Sequence, residues 1–254
     1  MRQVSAIWLR CLLVLSISSM LVGAGWAADD KDQKDQSDIA KRIDASAKVL
    51  EEIMATPDKA IPDKVMKHAK CIVVIPSMVK IAIGFGGSHG KGVASCRTEN
   101  GWSAPAPVTI TGGSWGLQLG GQAVDLVMIV MNQAGMDHLL SSKFKLGADA
   151  SAAAGPVGRD AGADTDLKMK SEVLTYSRAR GLFAGVDLNG AALTQDKDET
   201  RLLYGKFFPF SDILDGKVRP TASSEPFLAA IRRYSEQSKE SSQNQTGSTS
   251  SASR

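Results

Sequence analysis

Gly112-Gly113-Ser114-Trp115-Gly116 matches G-x-S-x-G, the turn that presents a nucleophilic serine in α/β-hydrolases. Asp125 or Asp137, followed by His138, would complete the order Ser, Asp, His. Such an elbow needs a helix directly after the serine. Here Trp115, Leu117 and Leu119 alternate with Gly116 and Gln118, which is the period of a strand. The short interval from Ser114 to His138 also leaves no room for the βα units of that fold. The chain therefore reads as non-enzymatic, with a Ser114 hydrolase as the alternative. Gly84 to Gly92 (GFGGSHGKG) offers a second motif, but it fails as a phosphate loop. Phe85 stands where the first glycine belongs, and Gly92 where Ser or Thr must follow the lysine. A hairpin loop fits better. His68, His89 and His138 lack ligand spacing, so no metal and no cofactor is expected.

Charge distribution is more informative than any motif. Residues 28–61 hold nine acidic and six basic side chains. Residues 62–97 hold six basic ones, Lys64, Lys67, Lys70, Lys80, Lys91 and Arg97, against Asp63 alone. Val65, Met66, Met78 and Val79 lie among them. Cations interleaved with apolar side chains suit an anionic membrane surface, worth about 1 kcal/mol per basic residue held close to it. These six are the candidate lipid-binding residues, with Lys143, Lys145, Arg178 and Arg180 as secondary ones. The same composition also describes an ordinary solvated face.

The elements that must position these residues follow from periodicity. Ile39, Ile43, Ala47, Leu50, Ile53 and Met54 recur at helical spacing after Ser37, and Pro57 ends the run. A second short helix is expected from Pro62 to His68. Strands are expected over 71–75, 80–85, 91–97, 102–110, 114–119 and 126–131, and a helix over 133–140. Residues 147–166 read as a Gly/Ala-rich loop and 168–179 as a strand. A hairpin over 181–188 and 191–195 turns at Asn189-Gly190. A turn over 196–200, a last strand over 202–204 and a short helix over 224–234 complete the reading. The fold class is α+β: a mainly antiparallel sheet or barrel-like core with N-terminal helices packed on it. Cys71 and Cys96 fall on two strands of this meander with another between them. A disulfide is compatible with an oxidising compartment but not with that spacing, and both states stay open.

Export is expected from the N-terminus. Arg2 and Arg10 precede or flank an apolar run from Cys11 to Val22, and Ala24-Gly25-Trp26-Ala27 supplies small residues for cleavage after Ala27. The run falls short of the roughly 20 residues that span a bilayer. Cleavage removes two positive charges from the whole-chain +3, so any basic surface must be local and nucleic acid is not an expected partner. The domains are then a signal peptide (1–27), a disordered leader (28–36), the folded domain (37–205), a docking segment with a short helix (206–234) and a disordered tail (235–254). A periplasmic or secreted location follows, with possible peripheral attachment to a membrane.

Several segments together resemble one family. They are IAIGFGGSHGKGVASCR (81–97), GWSAP (101–105), GLQLGGQAVD (116–125), AAGPVGR (153–159) and YSRARGLFAGVDL (176–188). In order and spacing they are similar to the SYLF domain, also called the Las17-binding or yeast actin-binding regulator domain. The resemblance runs from about Ile39 to Tyr204. It implies a lipid-binding module without assigned catalytic residues. Eukaryotic members bind phosphoinositides and actin and usually carry SH3 or FYVE domains. A chain with a signal peptide is expected to be an exported bacterial member. Actin is then not an expected partner, and binding of anionic phospholipids is what carries over. A structural envelope protein held by protein partners is the other alternative; its mark would be a large apolar patch without basic residues around it.

Overall fold

The computed structural model describes residues 23–56, 60–141, 144–158, 171–179, 182–183, 188 and 190–250, with backbone alone for 23–33, 82–85, 114–120, 182–183 and 241–250. Helix α1 spans Gly23–Met54. Its stripe of Ile39, Ile43, Ala47, Leu50 and Ile53 is buried, as the spacing requires. The helix also runs through 28–36, where a disordered leader is expected. No proline or glycine interrupts 26–56, and Ala, Lys and Gln are good helix formers. Residues 1–22 of the expected signal peptide lie outside the described residues. Helix α2 spans Asp63–His68 behind Pro62.

The sheet differs from the expected meander in an instructive way. Residues read as three strands form one, β1, Cys71–Thr98. After β2 (Gly101–Trp102), the next three form β3, Ala106–Val130. The two long strands pair antiparallel from Cys71↔Val130 to Ala94↔Ala106. Register shifts fall between Ile75 and Met78 and between Ile83 and Phe85. The glycines read as hairpin loops lie within strands and allow the chain to bend and cross itself. Gly92 is the clearest case, since a Cβ there would stand 2.0 Å from the Val74 carbonyl oxygen and 2.8 Å from Ile75 Cα. The pair thus curls until its ends meet: Arg97 N–H donates to Lys70 O (2.7 Å) and Lys70 N–H to Val130 O (2.8 Å).

That closure forms the disulfide between Cys71 and Cys96, whose Cα atoms are 3.9 Å apart. The objection from an intervening strand does not apply, because both cysteines belong to one strand that returns to its own beginning.

Helix α3 (Gln133–Leu140) follows, as expected, with Asn132 accepting from Gly135 N–H as its cap. Within the expected loop over 147–166, β5 (Ala152–Ala154) runs parallel to β6 (Val173–Ala179) and makes the sheet mixed. Residues 159–170 lie outside the described residues. Most of the first arm of the expected 181–195 hairpin, 181 and 184–187, lies outside the described residues; of the rest, β7 (Leu182–Phe183) pairs with β6, and β8 (Ala192–Gln195) pairs with β3 and with β4 (Phe144–Lys145). Asn189 is outside the described residues. The expected turn and strand over 196–204 are a helix, α4, Lys197–Tyr204. Asp196 caps it by accepting from Glu199 N–H (3.0 Å), and Gly205 at φ 72° closes it in the left-handed region. A short helix α5 (Phe210–Leu214) and the longer α6 (Glu225–Ser250) complete the fold. Helix α6 continues past Tyr234 into the expected tail, and Ser235 and Ser238 are buried against its neighbours.

The half-barrel has two apolar layers. Alternate residues of β1 and β3 point inward, where Val73, Ile75, Leu126 and Met128 meet Phe144, Leu193 and Ile213. The others, Ile72, Val74, Val127 and Ile129, face outward under α1, α2 and α6, meeting Ile43, Leu50, Met66 and Phe227. This is the expected α+β arrangement, a curled, largely antiparallel sheet with the N-terminal helix packed on it.

Candidate membrane-binding surface

Helix α2 is pinned by Val65, Met66 and Ala69, all buried in the outer layer. With those three inward, Lys64, Lys67 and Lys70 are turned to solvent, and all three are exposed. Among the described residues no carboxylate pairs with Lys67 or Lys70.

The other three expected lipid-binding residues are placed differently. Arg97 is half-buried on β1. Its Nε donates to Ala69 O (3.1 Å), and its Nη2 donates to Met66 O (3.3 Å) and to Ser235 Oγ (3.2 Å). It also lies 4.7 Å from the Trp102 ring centroid. Arg97 thus satisfies the carbonyls at the C-terminal end of α2 and ties α2 to α6. Burial lowers its pKa from the ordinary arginine value. It positions the lysines and does not extend their surface.

Lys91 is held in an internal ion cluster. Its Nζ is 2.8 Å from Asp196 Oδ2 and 2.9 Å from Glu199 Oε1, and Arg42 from α1 also binds Glu199. Thr109 Oγ1 donates to Asp196 Oδ2 (3.1 Å). Burial pushes the Lys91 ammonium down, but its hydrogen bonds to the two carboxylates outweigh this and hold its pKa above the ordinary lysine value. Burial likewise pushes Asp196 up, while Lys91, the Glu199 amide and Thr109 bring it below the ordinary aspartate value. The cluster joins α1, β1, β3 and α4. Sequence reasoning missed it because its members are far apart in the chain.

Lys80 lies on β1 opposite Gln122 and is half-buried. Lys145, on β4, is exposed. Arg178 is held between Glu52 of α1 and Asp125 of β3. Lys143 and Arg180 lie outside the described residues. Asp125 also accepts from Ser77 N–H (2.9 Å), which gives it a structural role. Ser114 sits within β3 opposite Gly86, in continuous strand and not at a strand-to-helix turn. His138 stacks on Phe144, with ring centroids 6.5 Å apart.

Of the apolar residues expected among the cations, Val65, Met66 and Met78 are buried and only Val79 is exposed, at 46%; Ile81, two residues on, is 55% exposed.

The comparisons give this fold a family. The model of the Las17-binding protein actin regulator (Ysc84) family matches residues 111–234. The SH3 domain-containing YSC84-like protein 1 of Rattus norvegicus is 30% identical over 207 residues, covering 79% of this chain and 61% of the relative. The protein of the same name in Homo sapiens is also 30% identical over 207 residues, covering 79% of this chain and 60% of the relative. The LAS seventeen-binding protein 3 of Saccharomyces cerevisiae (strain ATCC 204508 / S288c) is 32% identical over 178 residues, covering 68% of this chain and 39% of the relative. The chain belongs to the Ysc84, or SYLF-domain, family. It spans about three fifths of the length of the mammalian relatives.

Proposed function

We propose that this protein is an exported, non-catalytic module that binds anionic phospholipid membranes through the outer side of α2. The observation that carries the reading is the division among the six cations. Lys91 and Arg97 are engaged inside the fold, whereas Lys64 and Lys67 on α2, and Lys70 two residues past its end, are exposed and alternate with the buried Val65, Met66 and Ala69. Three lysines near an anionic surface supply about 3 kcal/mol. Export, expected from the N-terminal segment, directs the reading to phospholipid and away from actin. Replacing Lys64, Lys67 and Lys70 together by Glu is expected to abolish sedimentation with phosphatidylglycerol vesicles while leaving the thermal unfolding midpoint in place. Undiminished binding by that variant would overturn the assignment.

A further inference from the structure

The middle of the long strand pair departs from the layered core. At Met78 β1 leaves the double layer, and at Gly90 it is back against it, since a Cβ on Gly90 would be 2.6 Å from Ile75 Cγ2 and 3.0 Å from Met78 Cβ. Between these points residues 79–89 pair only with 111–123. The third-strand partners of β3 stop on either side, with β8 at 108–111 and β6 at 125–130. Among the described residues, then, this stretch is a two-stranded ribbon whose edges are open beyond Thr111, which pairs with Ala192 at its base. Its register breaks between Ile83↔Leu119 and Phe85↔Trp115, where Gly84 alone faces residues 116–118. The extra length lies on β3, as a bend with β3 on its outer side requires.

The chemistry of the ribbon is unusual for an open edge, which proteins normally protect with charges or proline. Residues 79–89 and 111–123 contain no acid, no proline and one formal cation, Lys80, with His89 near the base. From Gly101 to Val124 there is no charged residue at all. Val79 and Ile81, two apart and so on one face, are exposed opposite Ala123 and Gly121. A Cβ on Gly121 or Gly113 would have no neighbour within 4 Å among the described residues. Phe85 and Trp115 occupy paired register positions at the bend.

From this we infer that the 79–89/111–123 ribbon is the element that enters the membrane interface, with an anionic phospholipid surface as its occupant. The inference rests on the membrane reading above and adds an apolar component to it. The complete lack of acids favours an anionic surface, and the exposed Val79 and Ile81 supply the apolar contact. The open edges limit the depth. Unpaired backbone N–H and C=O groups are too costly in hydrocarbon, so the ribbon lies among headgroups and the first acyl carbons.

The test uses the full chain and phosphatidylglycerol/phosphatidylcholine vesicles. A double variant, Val79→Ser with Ile81→Ser, is expected to weaken binding about ten-fold, with the loss persisting at high salt because it is apolar in origin. Unaltered affinity in a folded variant would overturn the inference and leave the α2 reading standing. A second measurement keeps the question open to refutation if that variant does not fold. Ile81→Cys, in a Cys11→Ser background and labelled with a polarity-sensitive fluorophore, is expected to shift its emission to the blue with anionic vesicles. A shift that depends on protein concentration without vesicles would mean that a second copy covers the ribbon, and would refute the proposal. Blue-shifted emission alongside undiminished binding by the α2 triple variant would support the ribbon and reject the lysines.

Discussion

The two halves of the β1/β3 pair show how one pairing can serve opposite ends. Where the pair closes on itself, side chains alternate between two buried layers, a disulfide joins the ends, and cations are matched by carboxylates. In its middle the same two strands have no third partner among the described residues, and Val79 and Ile81 face solvent. The closed end can bear little change, whereas the ribbon is free to be selected for what it touches. Stability and binding should therefore separate cleanly between the two regions.

The largest effect is expected from the disulfide. Replacing Cys71 and Cys96 by Ser removes a crosslink between residues 25 apart, costing about 3.5 kcal/mol in the chain-entropy model. The unfolding midpoint should fall by roughly 10 °C, measured by calorimetry. Gly92→Ala comes next, since its Cβ meets the Val74 backbone and something must move; about 3 kcal/mol is expected from denaturant titration. Glu199→Gln leaves Arg42 and Lys91 undercompensated, which should cost about 2 kcal/mol after allowance for the partial exposure of Lys91.

The same cluster sets a pH dependence. The folded Asp196 has a lowered pKa, so its contribution is present above the unfolded value, near 4, and is lost as pH falls through the folded one. The folded Lys91 has a raised pKa, so its contribution is complete below about 10.4 and lost as pH rises past that. Lys91→Met should flatten both limbs of a stability profile. The smallest effect belongs to the ribbon: Gly113→Ala and Gly121→Ala should each change stability by less than about 0.5 kcal/mol, because their Cβ atoms meet nothing. A cost there as large as at Gly92 would erase the distinction between the two regions.

The sequence made some of this legible. The α1 stripe, α2 behind Pro62, α3, and the α+β class all follow from periodicity and proline placement. The strands were visible but not their continuity, because glycine marks both turns and bends, and only tertiary contact tells them apart. Gly92 bends a strand past Val74, whereas Gly205 ends a helix. The 202–204 segment reads as a strand because Leu202, Leu203 and Tyr204 are apolar; the Asp196 cap three residues before Glu199 is the helix signal that decides it. For the candidate surface, the basic cluster was visible in composition. Its division was not, since the partners of Lys91 lie beyond residue 195 and those of Arg97 include α6.

The central claim, attachment to anionic membranes by charge and apolar contact together, is most directly tested by vesicle sedimentation of the unmodified chain. Phosphatidylglycerol-containing and pure phosphatidylcholine vesicles would be compared at low and high salt. The account predicts stronger binding to the anionic vesicles than to the neutral ones, reduced but not abolished at high salt, since screening weakens the lysines and not the ribbon. Equal sedimentation with neutral vesicles, or with neither kind at low salt, would contradict it.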